Sequence, residues 1–241
     1  MTEQTPKNKI LAIGAHAADM ELTAGMTMAK YIRAGGAGAF LHLTPGERGH
    51  PTKSADEYRE QKRDEAARAA AALGARMQMF DYRDGELPYN DEVAFRVADV
   101  IRAEKPDIIV THWKHSMHKD HARTYQIVQD AVFYAALRTI ERPLPRHGIR
   151  SIYYADNWED QQDYVPDVVV AIDPESFEAW RQCCSAYQLF RGGVSNFRYR
   201  EYYEALATTR GCVAFTQRAN AFKLWEEQQV RGGEWLPIPR S

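Results

Sequence analysis

The sequence predicts an α/β chain, a doubly wound, mostly parallel sheet flanked by helices in one domain. Three observations carry that prediction. Short apolar runs alternate with longer stretches of helical periodicity, as in successive β-α-β units. The 241 residues suit one such domain better than two. No repeat, low-complexity tract or linker divides the chain over residues 1–241.

The elements follow in order. Residues 10–15 read as a buried strand, and 22–33 as the helix behind it. A second strand spans 38–44, followed by a Gly- and Pro-rich loop over 45–54. Ser54, with Glu57 three residues on, starts a strong helix over 55–73, and Gly74 stops it. Residues 77–80 form a third strand, 92–104 a helix ending before Pro106, and 108–111 a fourth strand. A histidine-rich loop then leads into a helix over 124–137. Strands at 152–154 and 168–172 and helices near 175–189 and 198–206 complete the pattern. Residues 1–8 read as a flexible start, and the stretch from about 150 to 241, the least clearly patterned, as a surface for self-association.

Composition narrows the function. Lys and Arg total 31 against 33 for Asp and Glu, a net charge of −2, which argues against a dedicated nucleic-acid or anionic-membrane binder. No apolar run approaches the ~18 residues of a membrane span. The opening residues contain no signal-like apolar core. Three cysteines, two of them adjacent (Cys183 and Cys184, with Cys212), do not make a disulfide framework. The expected setting is cytoplasmic, with a small molecule as partner and no membrane or nucleic acid.

Ligands of open parallel sheets bind beyond the carboxyl ends of the strands, where strand order reverses. With the order 3-2-1-4-5-6, that point lies between the first and fourth strands. The loops after these strands hold the chain's most unusual polar residues: His16, Asp19 and Glu21 after the first, and His112, Lys114, His115, His118, Lys119, Asp120 and His121 after the fourth. His16 and Asp19 reach a cation from one turn, and His121 from the facing loop. Two imidazoles and a carboxylate suit Zn²⁺ and leave a position for water. His118 stands ready as acid or electrophile, with Asp120 to hold its tautomer. The plain alternative is polar loop residues, with Asp120 favoured by a helix dipole.

Those residues resemble the signatures of the LmbE-like, or PIG-L, zinc-dependent de-N-acetylases, a Rossmann-like family. Ala15-His16-Ala17-Ala18-Asp19-Met20-Glu21 is similar to its A-H-P-D-D-x-E, and His118-Lys119-Asp120-His121 to its H-P-D-H. Thr44 to Gly49, the helix with Glu65 and Gly74, and Asp81 to Leu87 are similar in turn, so the likeness covers about residues 9–140. It implies zinc on His16, Asp19 and His121, with His118 as electrophile and Asp120 as its support. It also implies assembly as a homo-oligomer.

One departure matters. The first Asp of the family's D-D pair is its general base, and Ala18 stands there. Three accounts follow. Hydrolysis of an N-acyl amino sugar or related amide persists with a relocated base, for which Glu47, Asp84, His115 and His118 are candidates. Alternatively the reaction is hydration of an unsaturated keto-acid, because a branch resembling 4-oxalomesaconate hydratase also carries H-x-A-D with a G-E-R-G loop. The third account is an impaired or engineered protein that binds its ligand without turnover. The family's commonest chemistry puts amide hydrolysis first. Glu47 joins His118 and Asp120 as the expected catalytic set, with Arg48, Asp84 and His115 on the substrate.

Other residues receive plainer readings. Glu21 favours its helix dipole or supports a ligand such as His16. Arg59 and Lys62, one turn apart, read as surface charge. Trp113, Trp158, Tyr153 and Tyr154 read as core packing, and Cys183 and Cys184 as small buried hydrophobes.

Overall fold

A computed structural model describes residues 8–225, so the expectations for residues 1–7 and 226–241 lie outside the described residues. β1 (Lys9–His16) is apolar on both faces and almost wholly buried, as a central parallel strand must be. The chain then forms α1 (Asp19–Arg33), β2 (Ala37–Thr44), α2 (Ala55–Leu73), β3 (Arg76–Met79), α3 (Asp91–Glu104), β4 (Ile108–Thr111) and α4 (Lys119–Ala136). After these come β5 (Ser151–Ala155), β6 (Val168–Ala171), α5 (Pro174–Ser185), α6 (Gln188–Arg191), α7 (Tyr199–Val213) and β7 (Ala219–Leu224).

The sheet order is β3-β2-β1-β4-β5-β7-β6. The first five strands are mutually parallel, while β7 runs antiparallel to both β5 and β6. The predicted 3-2-1-4-5-6 therefore needs one correction, because β7 lies between the fifth and sixth strands. Its pattern hides it. Asn220 interrupts the apolar run, yet is buried and satisfied, donating to Thr23 O and accepting from Thr27 Oγ1. The reversal between β1 and β4 stands as expected.

Local chemistry explains the ends that position the site. Ser54 and Glu57 form a reciprocal capping box on α2, and Gly74 closes that helix at φ 72°. α4 begins five residues before its predicted start, so Asp120 and His121 occupy the first turn of a helix rather than a loop. Its N-cap is His118, whose Nδ1 accepts the Asp120 amide at 3.3 Å. The helix near 175–189 divides into α5 and α6.

Two cores lie on opposite faces of the sheet. One packs α1, α2, α5 and α7, with Trp180, Cys183 and Cys184 fully buried. α1 meets α5 closely because Gly25 has no side chain: a Cβ there would stand 2.9 Å from the Trp180 ring. The other packs α3 and α4 around Trp113 and Tyr154. No helix among the described residues is long and apolar enough to cross a membrane.

Candidate metal centre and active site

The carboxyl ends of β1, β4 and β5 open into a cavity of about 320 Å³. Its wall includes His16, Ala18, Asp19, Lys62, Asp84, His118, His121, Trp158 and Glu159. The two clusters singled out in the sequence thus meet at the switch point.

Asp19 is the hinge of the arrangement. Its Oδ2 accepts the His16 amide at 2.8 Å, lies 3.2 Å from His16 Nδ1 and 3.5 Å from His121 Nε2. Tetrahedral zinc with bonds of about 2.0–2.1 Å sets neighbouring donors about 3.3 Å apart, so these separations fit such an ion. Donor atoms gather into three overlapping groups, each within 4.8 Å: His16, His118 and His121; Asp19, His112 and His121; and His16, Asp84 and Asp120. The expected trio of His16, Asp19 and His121 straddles the first two.

Electrostatics favour a cation here. Burial alone would lower the His16 imidazole, yet Asp19, Asp120 and Asp84 outweigh it and hold it well above the ordinary range. His121 behaves in the opposite way. Burial and the neighbouring His112 push it down to about 4, the neutral form a metal ligand needs.

Asp160 completes the geometry, and the sequence reading missed it. This fully buried carboxylate after β5 lies 3.1 Å from His121 Nδ1 and 3.1 Å from His112 Nδ1. A carboxylate only accepts, so each Nδ1 carries the proton and His121 Nε2 is left facing Asp19. The signal available was the acid-rich run Asp156, Glu159 and Asp160 just after a strand beside the switch point. Glu159 itself stands 3.6 Å from His121 Nε2, and burial together with Asp19 and Asp160 raises its carboxyl to about 7.

The expected catalytic residues divide. His118 lines the cavity, and burial and His16 lower its imidazole. Asp120 does not hold it by its carboxylate, a correction to the expected support: Oδ2 accepts Gly85 N at 2.6 Å and lies 3.6 Å from His16 Nε2. Only the Asp120 amide reaches His118. Glu47 is buried and absent from the cavity wall; its carboxylate accepts Asp84 N at 3.2 Å and pairs with Arg59 at 3.4 Å.

Of the expected substrate contacts, Asp84 alone lines the cavity, with Oδ1 3.2 Å from His16 Nε2. Arg48 turns to Glu86 at 2.8 Å, and His115 to Asp163 at 3.3 Å. Arg48 contributes through its amide, which donates to Asp84 Oδ2 at 3.2 Å.

Two further readings change and a third is extended. Glu21 supports no ligand; it is fully buried between His42 Nε2 at 3.1 Å and the Tyr187 hydroxyl at 2.6 Å. Lys62 is not surface charge, being 3% exposed on the cavity wall. Trp158 packs against a core as expected and also lines the cavity. Ala18 is buried at φ 96°, a left-handed conformation that Asp adopts more readily than Ala.

A family profile described as PIG-L, GlcNAc-PI de-N-acetylase, matches residues 11–132. A 4-oxalmesaconate hydratase of Pseudomonas putida is 27% identical over 219 residues, covering 87% of this chain and 82% of its own. A diacetylchitobiose deacetylase of Thermococcus kodakarensis is 29% identical over 216 residues, covering 80% and 81%. Among solved structures, the 4-carboxy-2-hydroxymuconate hydratase of Pseudomonas putida superposes with a TM-score of 0.81 at 24% identity, over 95% of this chain and 99% of that one. The N,N'-diacetylchitobiose deacetylase of Pyrococcus horikoshii gives 0.74 at 22%, over 90% and 84%. At these identities the two structures speak for the fold.

Proposed function

Since the chain belongs to the PIG-L, GlcNAc-PI de-N-acetylase family, we propose that it is a metal-dependent hydratase adding water to an activated alkene of an unsaturated keto-acid. Ala18 carries this reading. At the position of the family's general base there is a buried methyl group, held in the turn that an acid would occupy. The extended match to a 4-oxalmesaconate hydratase supports the same choice over the amide hydrolysis that the motif resemblance puts first.

His16, Asp19 and His121 would hold the ion, with zinc the species best suited to two imidazoles and a carboxylate. When bound, such an ion activates water and polarises a substrate carbonyl. In the overall reaction one O–H bond of water breaks. A C–O bond forms at the alkene carbon conjugated to the carbonyl, and a proton reaches the adjacent carbon through the enol. The chain supplies two groups for this step. His118 Nδ1 accepts the Asp120 amide, so in the neutral ring Nε2 bears the hydrogen and can donate a hydrogen bond to the oxygen of the developing enol while keeping its proton. Glu159, at about 7, can take up the proton of the attacking water and return it to the adjacent carbon.

A second reading, hydrolysis of an N-acyl amino sugar, is favoured by one observation: Asp84 and Glu159 remain as carboxylates on the cavity wall despite Ala18. Incubating the zinc-loaded protein with 4-carboxy-2-hydroxymuconate and with N,N'-diacetylchitobiose separates the two. Loss of the conjugated chromophore is expected with the first and no acetate release with the second. Ala18→Asp should lower hydration; acetate release by the parent protein would overturn the hydratase reading, and turnover of neither substrate would favour the impaired-protein account. The expected cytoplasmic setting and homo-oligomer belong to this same proposal, and sedimentation of the purified protein checks the assembly.

A further inference from the structure

Lys62 is the cation that the hydratase reading leaves without a task. It projects from α2, one turn beyond Tyr58, into the wall of the cavity beside His16. The point where a Gly46 side chain would begin lies 3.0 Å from His16 Cβ and 3.6 Å from Lys62 Cε, so the glycine lets the two approach. The ammonium donates to Ala17 O at 2.6 Å, and the rings of Tyr187 and Tyr58 flank it at 5.1 and 5.8 Å. No carboxylate among the described residues comes within ion-pair distance of it. Asp19, Glu65, Glu21 and Asp84 act on it only from farther away, and burial pulls its ammonium below the ordinary lysine range.

An ammonium offers three donors, and one is engaged. A buried cation with two unspent donors and no paired anion is costly to maintain unless something bearing negative charge enters beside it. The cavity is the open side, and the substrate is what enters it. We propose that Lys62 binds a carboxylate of the substrate and so selects unsaturated acids over neutral amino sugars. The inference rests on the hydratase reading for the rest of the substrate's identity. The aromatic faces around Nζ leave the ammonium poorly hydrated, which strengthens its pairing with an incoming carboxylate. The bond to Ala17 O fixes the ammonium beside the Ala17–Ala18 turn, so anchored carboxylate and metal site keep a constant relation.

Isothermal titration of the zinc-loaded protein with mesaconate, an unsaturated dicarboxylate, and with its dimethyl ester tests this. Lys62→Met should weaken mesaconate binding about 10–100-fold, the worth of a buried charge-assisted hydrogen bond. The ester should bind both proteins alike, zinc stoichiometry should be unchanged, and Lys62→Arg should recover most of the affinity. Lys62→Gln, which keeps a donor for Ala17 O, should resemble Lys62→Met in binding while retaining the thermal midpoint. Equal mesaconate affinity in parent and Lys62→Met overturns the proposal. So does equal loss of acid and ester in both neutral variants, which would reduce Lys62 to a support for the turn, and so does a parent protein that does not bind mesaconate. Lys62-dependent mesaconate binding without alkene hydration sinks the hydratase reading and leaves the anchor standing. Hydration with an unchanged KM in Lys62→Met does the reverse.

Discussion

A single carboxylate, Asp160, decides which nitrogen His121 offers to a metal. It takes the Nδ1 proton of His121 on one oxygen and that of His112 on the other. Asp160→Asn keeps the shape but offers one of those rings a donor instead of an acceptor. We expect zinc affinity to fall about 10–100-fold, the usual effect of losing such an outer partner, read by competition with a chromogenic chelator. Unchanged affinity would mean that His121 is oriented by packing alone. Glu159 adds a pH signature in the metal-free protein. Its folded carboxyl is raised to about 7 from 4.5, so the folded state binds more protons between those values. Its contribution to stability is present below about pH 4.5 and is lost as pH rises through 7. Glu159→Gln should flatten that part of the urea-midpoint profile; a profile identical to the parent's would show that the group titrates normally. His16, Asp19, His118 and His121 were legible because each falls at the end of a strand beside the reversal. Asp160, Glu159 and Lys62 were not, because their meaning lies in which distant groups they face. A lysine on an amphipathic helix looks the same in sequence whether its tip meets water or a cavity.

At the scale of elements, the sequence reading failed where functional residues disturb the periodic pattern. The start of α4 reads as loop because Lys119, Asp120 and His121 are polar, yet two of them face inward and only the later turns show a regular apolar face. β7 escapes notice because its pairing depends on strands far away in the chain. Arg102 shows the same limitation in reverse, since an arginine near the end of α3 has every appearance of surface charge. It is 2% exposed and donates to the carbonyls of Ala135, Leu144, Tyr134, Leu137 and Ile140, gathering the last turn of α4 and the chain that follows it. α4 has no basic residue in its own last turn, so this neighbour supplies the positive charge. Arg102→Ala would orphan several buried carbonyls at once and should cost on the order of 3 kcal/mol or more in urea unfolding. Arg102→Lys should recover only part of it, because an ammonium has three donors for five acceptors. A loss below about 1 kcal/mol in Arg102→Ala, within the range of one ordinary hydrogen bond, would mean that water replaces the guanidinium.

For the molecule as a whole, the sheet brings β1 and the start of α4 together although they are distant in sequence. An ion held by His16, Asp19 and His121 would therefore bind the folded chain and not the unfolded one. Linkage then fixes the size of the effect. Free zinc at about 100 times its dissociation constant stabilises the fold by about 2.7 kcal/mol. For a chain of this length that corresponds to a rise in the thermal midpoint of about 5–11 °C, at roughly 2–4 °C per kcal/mol. The rise should vanish with excess chelator and return on adding zinc. His121→Ala should abolish the zinc-induced rise, and should also lower the metal-free midpoint, because the buried ring stacks on His112 and donates to Asp160. A full zinc-induced shift in His121→Ala would place the ion elsewhere, and with it every role assigned around Asp19.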